Sequence, residues 1–398
     1  MHLFKALSLI CLIFLLPEAY AQKLETHKTA FLEYQTQGFS PQERAIENGQ
    51  EDSTTTAHYI YSSFGFDIKL WSHKIEANGF IRHLEAKDIQ NNPSLFYLTS
   101  PKNIIARDVF QMRHKDEGQN NYTEATLNHF LYEWGDDEVS FKAGRLFINY
   151  GHGYTINPIN PFGFANGLSS TLGVQQGNDG VQIRFSKFKK LKISLYFLGD
   201  KSYTDYNNKI TRTVFLRGQW TPNHTTKINY VFGEDQKRHK YGFELKHSLS
   251  YGLSYLQLMR HSQNLENQDA GSEGLFHYLL GHESDINQTW TTRIELAQLQ
   301  KDEKTPEKIN ITYLPFEKSI TWLNQFRFND KTNFEIGISQ DPSSTASLLK
   351  LTARHNFSKS LQGRIFAFEI LNEAQKKAEY SSQYSIPNIL GLGLRLEI

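Results

Sequence analysis

Only one cysteine occurs in the 398 residues, and it stands at position 11. No disulfide can therefore hold the fold, and no cysteine cluster is present to bind a metal. Long apolar runs are equally scarce. Mean hydropathy is −0.53, and beyond the first residues no stretch approaches the roughly 18 apolar residues that a membrane-crossing helix needs. A helical membrane protein is thereby excluded. Charge of one sign is missing too: 43 basic residues face 42 acidic ones, so no bulk charge points to nucleic acid or another polyion. Catalytic motifs are absent as well. The chain has no His-x-x-x-His helix motif, no Cys/His cluster and no Gly-x-Ser-x-Gly elbow. Fifteen histidines are scattered along it, among them His83, His129, His152, His277 and His282. The last two differ by five positions, which puts them on opposite faces of a strand and argues against a shared metal. No enzyme activity, metal or cofactor is expected.

Aromatic residues are abundant instead, at 13% with 28 Phe and 20 Tyr. Both termini are patterned. At the start, Lys5 precedes a mostly apolar run from Ala6 to Leu16, then Pro17 and the small-residue pattern Ala19-Tyr20-Ala21. Together these read as a secretory signal peptide, residues 1–21, cleaved before Gln22. Cys11 lies inside it, without the pattern of a lipoprotein signal. At the end, Leu390, Leu392, Leu394, Leu396 and Ile398 fall on one face of a strand, with Gly391, Gly393, Arg395 and Glu397 on the other. An exported chain ending on such a strand resembles a bacterial outer-membrane β-barrel, in which the apolar face meets lipid and the polar face lines the lumen. That resemblance accounts for abundant aromatics in a polar chain, because they form girdles at the two interfaces.

Strand follows strand through residues 22–398, with little helical periodicity. Ile60, Phe64, Phe66, Ile68 and Leu70 share a face; so do Val181, Ile183 and Phe185, then Ile193, Leu195 and Phe197 after a turn at Lys189 and Lys190. Further sets are Val214, Leu216 and Trp220; Ile228, Tyr230 and Phe232; Trp290, Thr292, Ile294 and Leu296; Ile320, Trp322, Phe326 and Phe328; and Arg364, Phe366, Phe368 and Ile370. Short links at 71–73, 135–137, 187–190, 221–224, 248–250 and 284–287 alternate with long ones at 86–121, 149–177, 200–208, 235–238, 262–272 and 300–306. Outer-membrane barrels show this asymmetry between periplasmic turns and external loops. Counting from 28–37 gives nineteen strands, whereas termini on one side require an even number. The alternation loses phase after about residue 300, which places the surplus there. The expectation is one all-β domain, a closed transmembrane antiparallel barrel of about 16–18 strands.

The most distinctive segment runs from Gly144-Arg145 through Tyr150-Gly151-His152-Gly153-Tyr154 to Asn157-Pro158-Ile159-Asn160-Pro161-Phe162. It enters the stretch 149–177, which contains no Asp, Glu, Lys or Arg. An external loop is normally solvated and charged, so an uncharged one rich in Gly, Asn, Pro and aromatics is expected to fold inward. The segment is similar to the Gly-Arg strand followed by Tyr/Trp-Gly-x-Gly and Asn-Pro in a group of porin-like outer-membrane proteins, and general porins narrow their pores with such a loop. Two readings stay open. In one the segment is structural: Gly151 and Gly153 allow positive φ, the prolines fix turns, and Tyr150, Tyr154 and Phe162 pack. In the other, Arg145, His152, Tyr154, Asn157, Asn160 and Phe162 are pore-constriction candidates offering hydrogen bonds and ring faces to solute. Arg145 is ambiguous, since alternation puts it on the face of Val139, Phe141 and Ala143, towards lipid.

The resemblance implies an outer-membrane channel of a Gram-negative bacterium for passive diffusion of small, neutral or weakly polar solutes. Its partners would be outer-membrane lipid, the solute, and the barrel-assembly machinery acting through the C-terminal strand. The alternative is a surface adhesin or receptor using loops 86–121 and 262–272; less favoured is a barrel hydrolase, whose motifs are missing. Oligomeric state and solute are not legible in the sequence.

Overall fold

Period-two alternation gives each segment one face of carbon and one of polar groups, so the sheet can close only with one kind inside. A computed structural model describes residues 25–40, 55–70, 72–87, 113–148, 150–154, 157–159, 178–201, 210–235, 238–262, 275–301, 318–343, 347–371 and 388–398. These residues form nineteen strands and no helix. The first half comprises β1 (Glu25–Ser40), β2 (Thr55–Leu70), β3 (His73–Ala86), β4 (Arg113–Glu117), β5 (Asn121–Gly135), β6 (Val139–Leu146), β7 (Asn178–Phe188), β8 (Leu191–Lys201) and β9 (Ile210–Trp220). The second comprises β10 (Thr226–Asp235), β11 (Arg238–Leu249), β12 (Gly252–Ser262), β13 (Leu275–Asn287), β14 (Trp290–Lys301), β15 (Lys318–Asn329), β16 (Thr332–Gln340), β17 (Ser347–Asn356), β18 (Leu361–Leu371) and β19 (Asn388–Glu397).

Each strand pairs antiparallel with the next, except that β3 pairs directly with β5. β19 returns to β1 in a register running from Phe31↔Glu397 to Ser40↔Asn388. The sheet is thus a closed barrel without an edge. β4 pairs only with β5, between Arg113↔Thr126 and Glu117↔Tyr122, and stands outside the ring. Of nineteen strands, eighteen therefore close the barrel. Two sequence expectations need correction. The stretch 86–121, read as a single loop, contains β4; and the surplus strand expected beyond residue 300 has no counterpart among the described residues, where β15 to β19 complete the ring.

The outer face is apolar. Leu390, Leu392 and Leu394 are more than half exposed, as the terminal alternation requires, and Leu216, Phe232, Ile294, Trp322 and Ile365 carry the same belt around the wall. A continuous surface of this kind is untenable in water and matches bilayer hydrocarbon. The start of β1, the end of β19 and the tight turns share one end. Those turns are closed by side chains that replace missing backbone partners: Asp136 Oδ1 accepts from the Glu138 and Val139 amides at 2.9 and 2.8 Å, Asn223 Oδ1 from Thr226 N at 2.7 Å, and Asn329 Oδ1 from Lys331 N at 2.9 Å. Asn and Asp suit such turns because their short side chains mimic a backbone acceptor.

The inner face pairs its charges. Arg82 meets Glu124 at 2.5 Å, Lys142 meets Glu133 at 3.0 Å, and Arg364 meets Glu33 at 3.0 Å. One departure away from the turns shifts the alternation. In β5 the register slips opposite Asn78 and Gly79, leaving Asn128 as an extra residue. Tyr122, Glu124 and Thr126 are buried inside, whereas after the bulge Leu131 takes that face and Phe130 and Trp134 are exposed. A bulge re-aims every later side chain by one position. In β18 the aromatic face turns inward: Phe366 is buried with Tyr59, Leu84 and Tyr122, while Ile365 lies on the outside.

Candidate functional site

After β6 the chain leaves the wall and enters the barrel. Gly151 makes the entry possible, with φ of +85°, a region that side chains with a Cβ adopt at a penalty. An added Cβ would also collide with Asn157 and Ile159. Asn157 is buried and its Nδ2 donates to the Tyr150 carbonyl, which folds the segment back on itself. Tyr150 and Ile159 then sit in an interior apolar cluster with Leu131, Leu146, Tyr196 and Phe215. Ile159 is fully buried beside Gly242 of β11, where an added Cβ would stand only 3.2 Å from it. The Tyr150 ring lies under the Arg217 guanidinium at 4.2 Å.

Tyr154 reaches farther, to the wall made by β14, β16 and β17. Its amide donates to Glu295 Oε1 at 2.6 Å and its hydroxyl to Glu335 Oε1 at 2.7 Å. Lys350 Nζ donates to the same hydroxyl at 2.8 Å and pairs with Glu335 at 3.0 Å. Burial, followed by the neighbouring Glu335, pushes the Tyr154 phenol far above its ordinary range, so it remains a donor. Around this latch Arg293 Nε donates to Glu283 Oε2 at 2.7 Å, and the Arg293 guanidinium stands 5.6 Å from the Tyr154 ring. Tyr255 OH donates to Glu295 at 2.5 Å. The loop therefore spans the interior between opposite parts of the wall, and each acid it meets accepts a hydrogen bond or pairs with a cation.

His152 packs edge-on against Tyr255, with ring centroids 5.0 Å apart, and its Nε2 is 3.9 Å from Glu283. Burial, then the positive Arg293 and Lys246, lower its pKa to about 4. It is neutral at pH 7. A detached loop would return the ring to its ordinary value near 6.5 and bind a proton more readily. The contribution of His152 to attachment is thus fully present above about pH 6.5 and is lost as the pH falls towards 4. Open-channel current noise should grow over that window, and the growth should be much reduced in His152→Gln, which cannot titrate; equal noise in both proteins at pH 4.5 would refute the role.

Of the candidates read from the sequence, His152 and Tyr154 meet the same group of wall residues, Tyr255, Glu295 and Arg293, whereas Asn157 is engaged with Tyr150. Asn160 and Phe162 lie outside the described residues. Arg145 keeps the place that alternation gives it, opposite the exposed Phe130, yet its side chain is buried. It is 3% exposed and holds Asp179 through two bonds, Nε to Oδ1 at 2.7 Å and Nη2 to Oδ2 at 3.0 Å, with Nη1 on the Leu127 carbonyl at 2.9 Å. The preceding Gly144 has φ of +128°, and the ladders on both sides run through it without a register shift. Leaving either partner alone in this setting costs about 3–5 kcal/mol. Sequence reasoning missed Glu283, Arg293, Glu295, Glu335 and Lys350. A signal existed: Arg293 and Glu295 alternate with the apolar Ile294 and Leu296 and so belong to the inner face.

No family model matches the chain, and no curated protein matches it. Solved structures do. A BenF-like porin from Pseudomonas fluorescens Pf-5 superposes with a TM-score of 0.60 at 8% identity, covering 94% of this chain and 98% of that one. OccAB4 of Acinetobacter baumannii gives 0.57 at 11% identity, with 95% and 99% covered. OccK5 (OpdH) of Pseudomonas aeruginosa gives 0.53 at 9% identity, with 93% and 97% covered. At such identities the likeness concerns architecture, and in architecture this chain is a porin-like β-barrel.

Proposed function

We propose that the chain is an outer-membrane channel for passive diffusion of small, neutral or weakly polar solutes, narrowed by the inward segment that begins at Tyr150. The observation that carries this reading is the latch of Tyr154 on Glu295, Glu335 and Lys350. A loop held across a barrel interior restricts passage, and a side chain held by hydrogen bonds on three groups presents a defined constriction. Charge near the latch is mixed. Lys350 is matched by Glu335 and Arg293 by Glu283, whereas strong ion selectivity calls for a ring of one sign. The resemblance to porins in fold supports the same reading, and with it an outer-membrane location, export by the signal segment 1–21 and insertion through the terminal strand. A surface adhesin would instead direct its distinctive loop outwards, and an enzyme would need a constellation that the sequence lacks.

Purified protein in a planar bilayer should show discrete conductance steps. Vesicles containing it should admit neutral, anionic and cationic solutes of equal size at similar rates. Absence of conductance sinks the channel reading; a strong preference for one sign of charge sinks the solute assignment alone.

A further inference from the structure

The outer wall of β17, β18, β19 and β1 carries a groove of about 450 Å³, lined by Tyr34, Ala353, Gly363, Ile365, Leu392 and Leu394. Its origin is in the register. Thr332, His355, Gly363, Leu394 and Tyr34 form one row across five strands. Ala353, Ile365 and Leu392 stand in the next row, farther from the turns. The Phe357 ring lies over Gly363 at one end, and Ala353 contributes almost no bulk, so a slot remains beside Ile365, Leu392 and Leu394. The slot is carbon-lined and opens where the wall meets the bilayer.

Its end near the tight turns has different chemistry. His355 Nδ1 bonds Thr332 Oγ1 at 2.9 Å, and the ring packs edge-on to Phe357 with centroids 4.9 Å apart. That bond orients the imidazole and leaves Nε2 without a partner among the described residues. Lys331 and Lys359 occupy the two flanking turns, 330–331 and 357–360, and neither is in an ion pair among the described residues. Of the acids nearby, Asp330 adjoins Lys331, and Glu397 is engaged by Arg395 at 3.2 Å. Hydrocarbon below and cationic or donor groups at the interface are the two halves of phospholipid recognition.

We propose that this groove is a binding site for one anionic phospholipid of the leaflet on the tight-turn side, with an acyl chain in the slot and its phosphate held by His355, Lys331 and Lys359. The proposal rests on the reading above only in placing the wall in a bilayer. Folded barrel in detergent, its fold checked by heat-modifiable gel mobility, is incubated with phosphatidylglycerol or phosphatidylcholine, and retained lipid is counted by native mass spectrometry. One phosphatidylglycerol should remain bound and phosphatidylcholine should be lost. Ala353→Phe, which fills the slot from the lipid side, should abolish retention. The triple variant His355→Gln, Lys331→Gln, Lys359→Gln should lower it roughly tenfold. Equal retention of both lipids, retention of neither, or unchanged retention in Ala353→Phe overturns the site. Conductance is recorded on the same unmodified barrel, so a failed channel reading and a failed lipid site give separate results.

Discussion

Single-channel conductance rises severalfold when residues 152–175 are replaced by a short Gly/Ser linker, while the barrel stays folded. The replacement removes Tyr154 from Glu295, Glu335 and Lys350 and takes Ile159 out of the interior cluster. Losing the burial of one such apolar side chain costs about 1.5–3 kcal/mol. The wall does not depend on it, because β14, β16 and β17 keep their full ladders to neighbouring strands, and Lys350 keeps its pair with Glu335. Conductance in a planar bilayer and heat-modifiable mobility on a gel check the two halves of the expectation. A folded variant with unaltered conductance would mean that the segment does not limit passage. Tyr154→Phe is the milder companion: it deletes the hydroxyl that bridges Glu335 and Lys350 and should mainly increase current noise.

Deleting Arg395 to Ile398 should lower the outer-membrane level of the protein by well over tenfold while leaving export to the periplasm intact. These residues pair on both sides, Leu396 with Leu32 of β1 and with Leu361 of β18, and Arg395 with Glu33 and Gln362. Their removal opens the ring at the turn end and strands backbone donors and acceptors on β1 and β18. Each such group left unsatisfied in hydrocarbon costs several kcal/mol. The loss of the Leu396 and Ile398 side chains also erodes the apolar terminal face that the assembly machinery is expected to read. Membrane fractionation with immunodetection decides the matter, and normal levels of the truncated chain would defeat it.

Much of this architecture is legible in the order of the residues. Leu390, Leu392 and Leu394 alternate with Gly391, Gly393 and Arg395, and the structure exposes the first set on the outer wall. The turns at Asp136 and Asn223 are legible for the same reason, since each is closed within three residues. Where reading fails, a local irregularity is responsible. The extra residue at Asn128 reverses the faces of β5. An asparagine does not announce a bulge, because whether one forms depends on the strand opposite. The candidate segment stands out as a run without charge, but its partners do not.

The sequence alone determines which side chains share a face, where five of the six tight turns read from it fall, the link at 284–287 lying instead within β13, and that the 149–177 stretch is too poor in charge for an ordinary external loop. Those are properties of neighbours in the chain, set by the two-residue period of an extended backbone. Only the tertiary structure decides that Tyr154 lands on Glu335 and Lys350, separated from it by 181 and 196 positions, that Arg145 closes on Asp179, and that eighteen strands form the ring with β4 left outside it. Closure sets the register of every strand against strands far away in sequence, and it is register that carries a luminal glutamate to the height at which an incoming tyrosine can meet it.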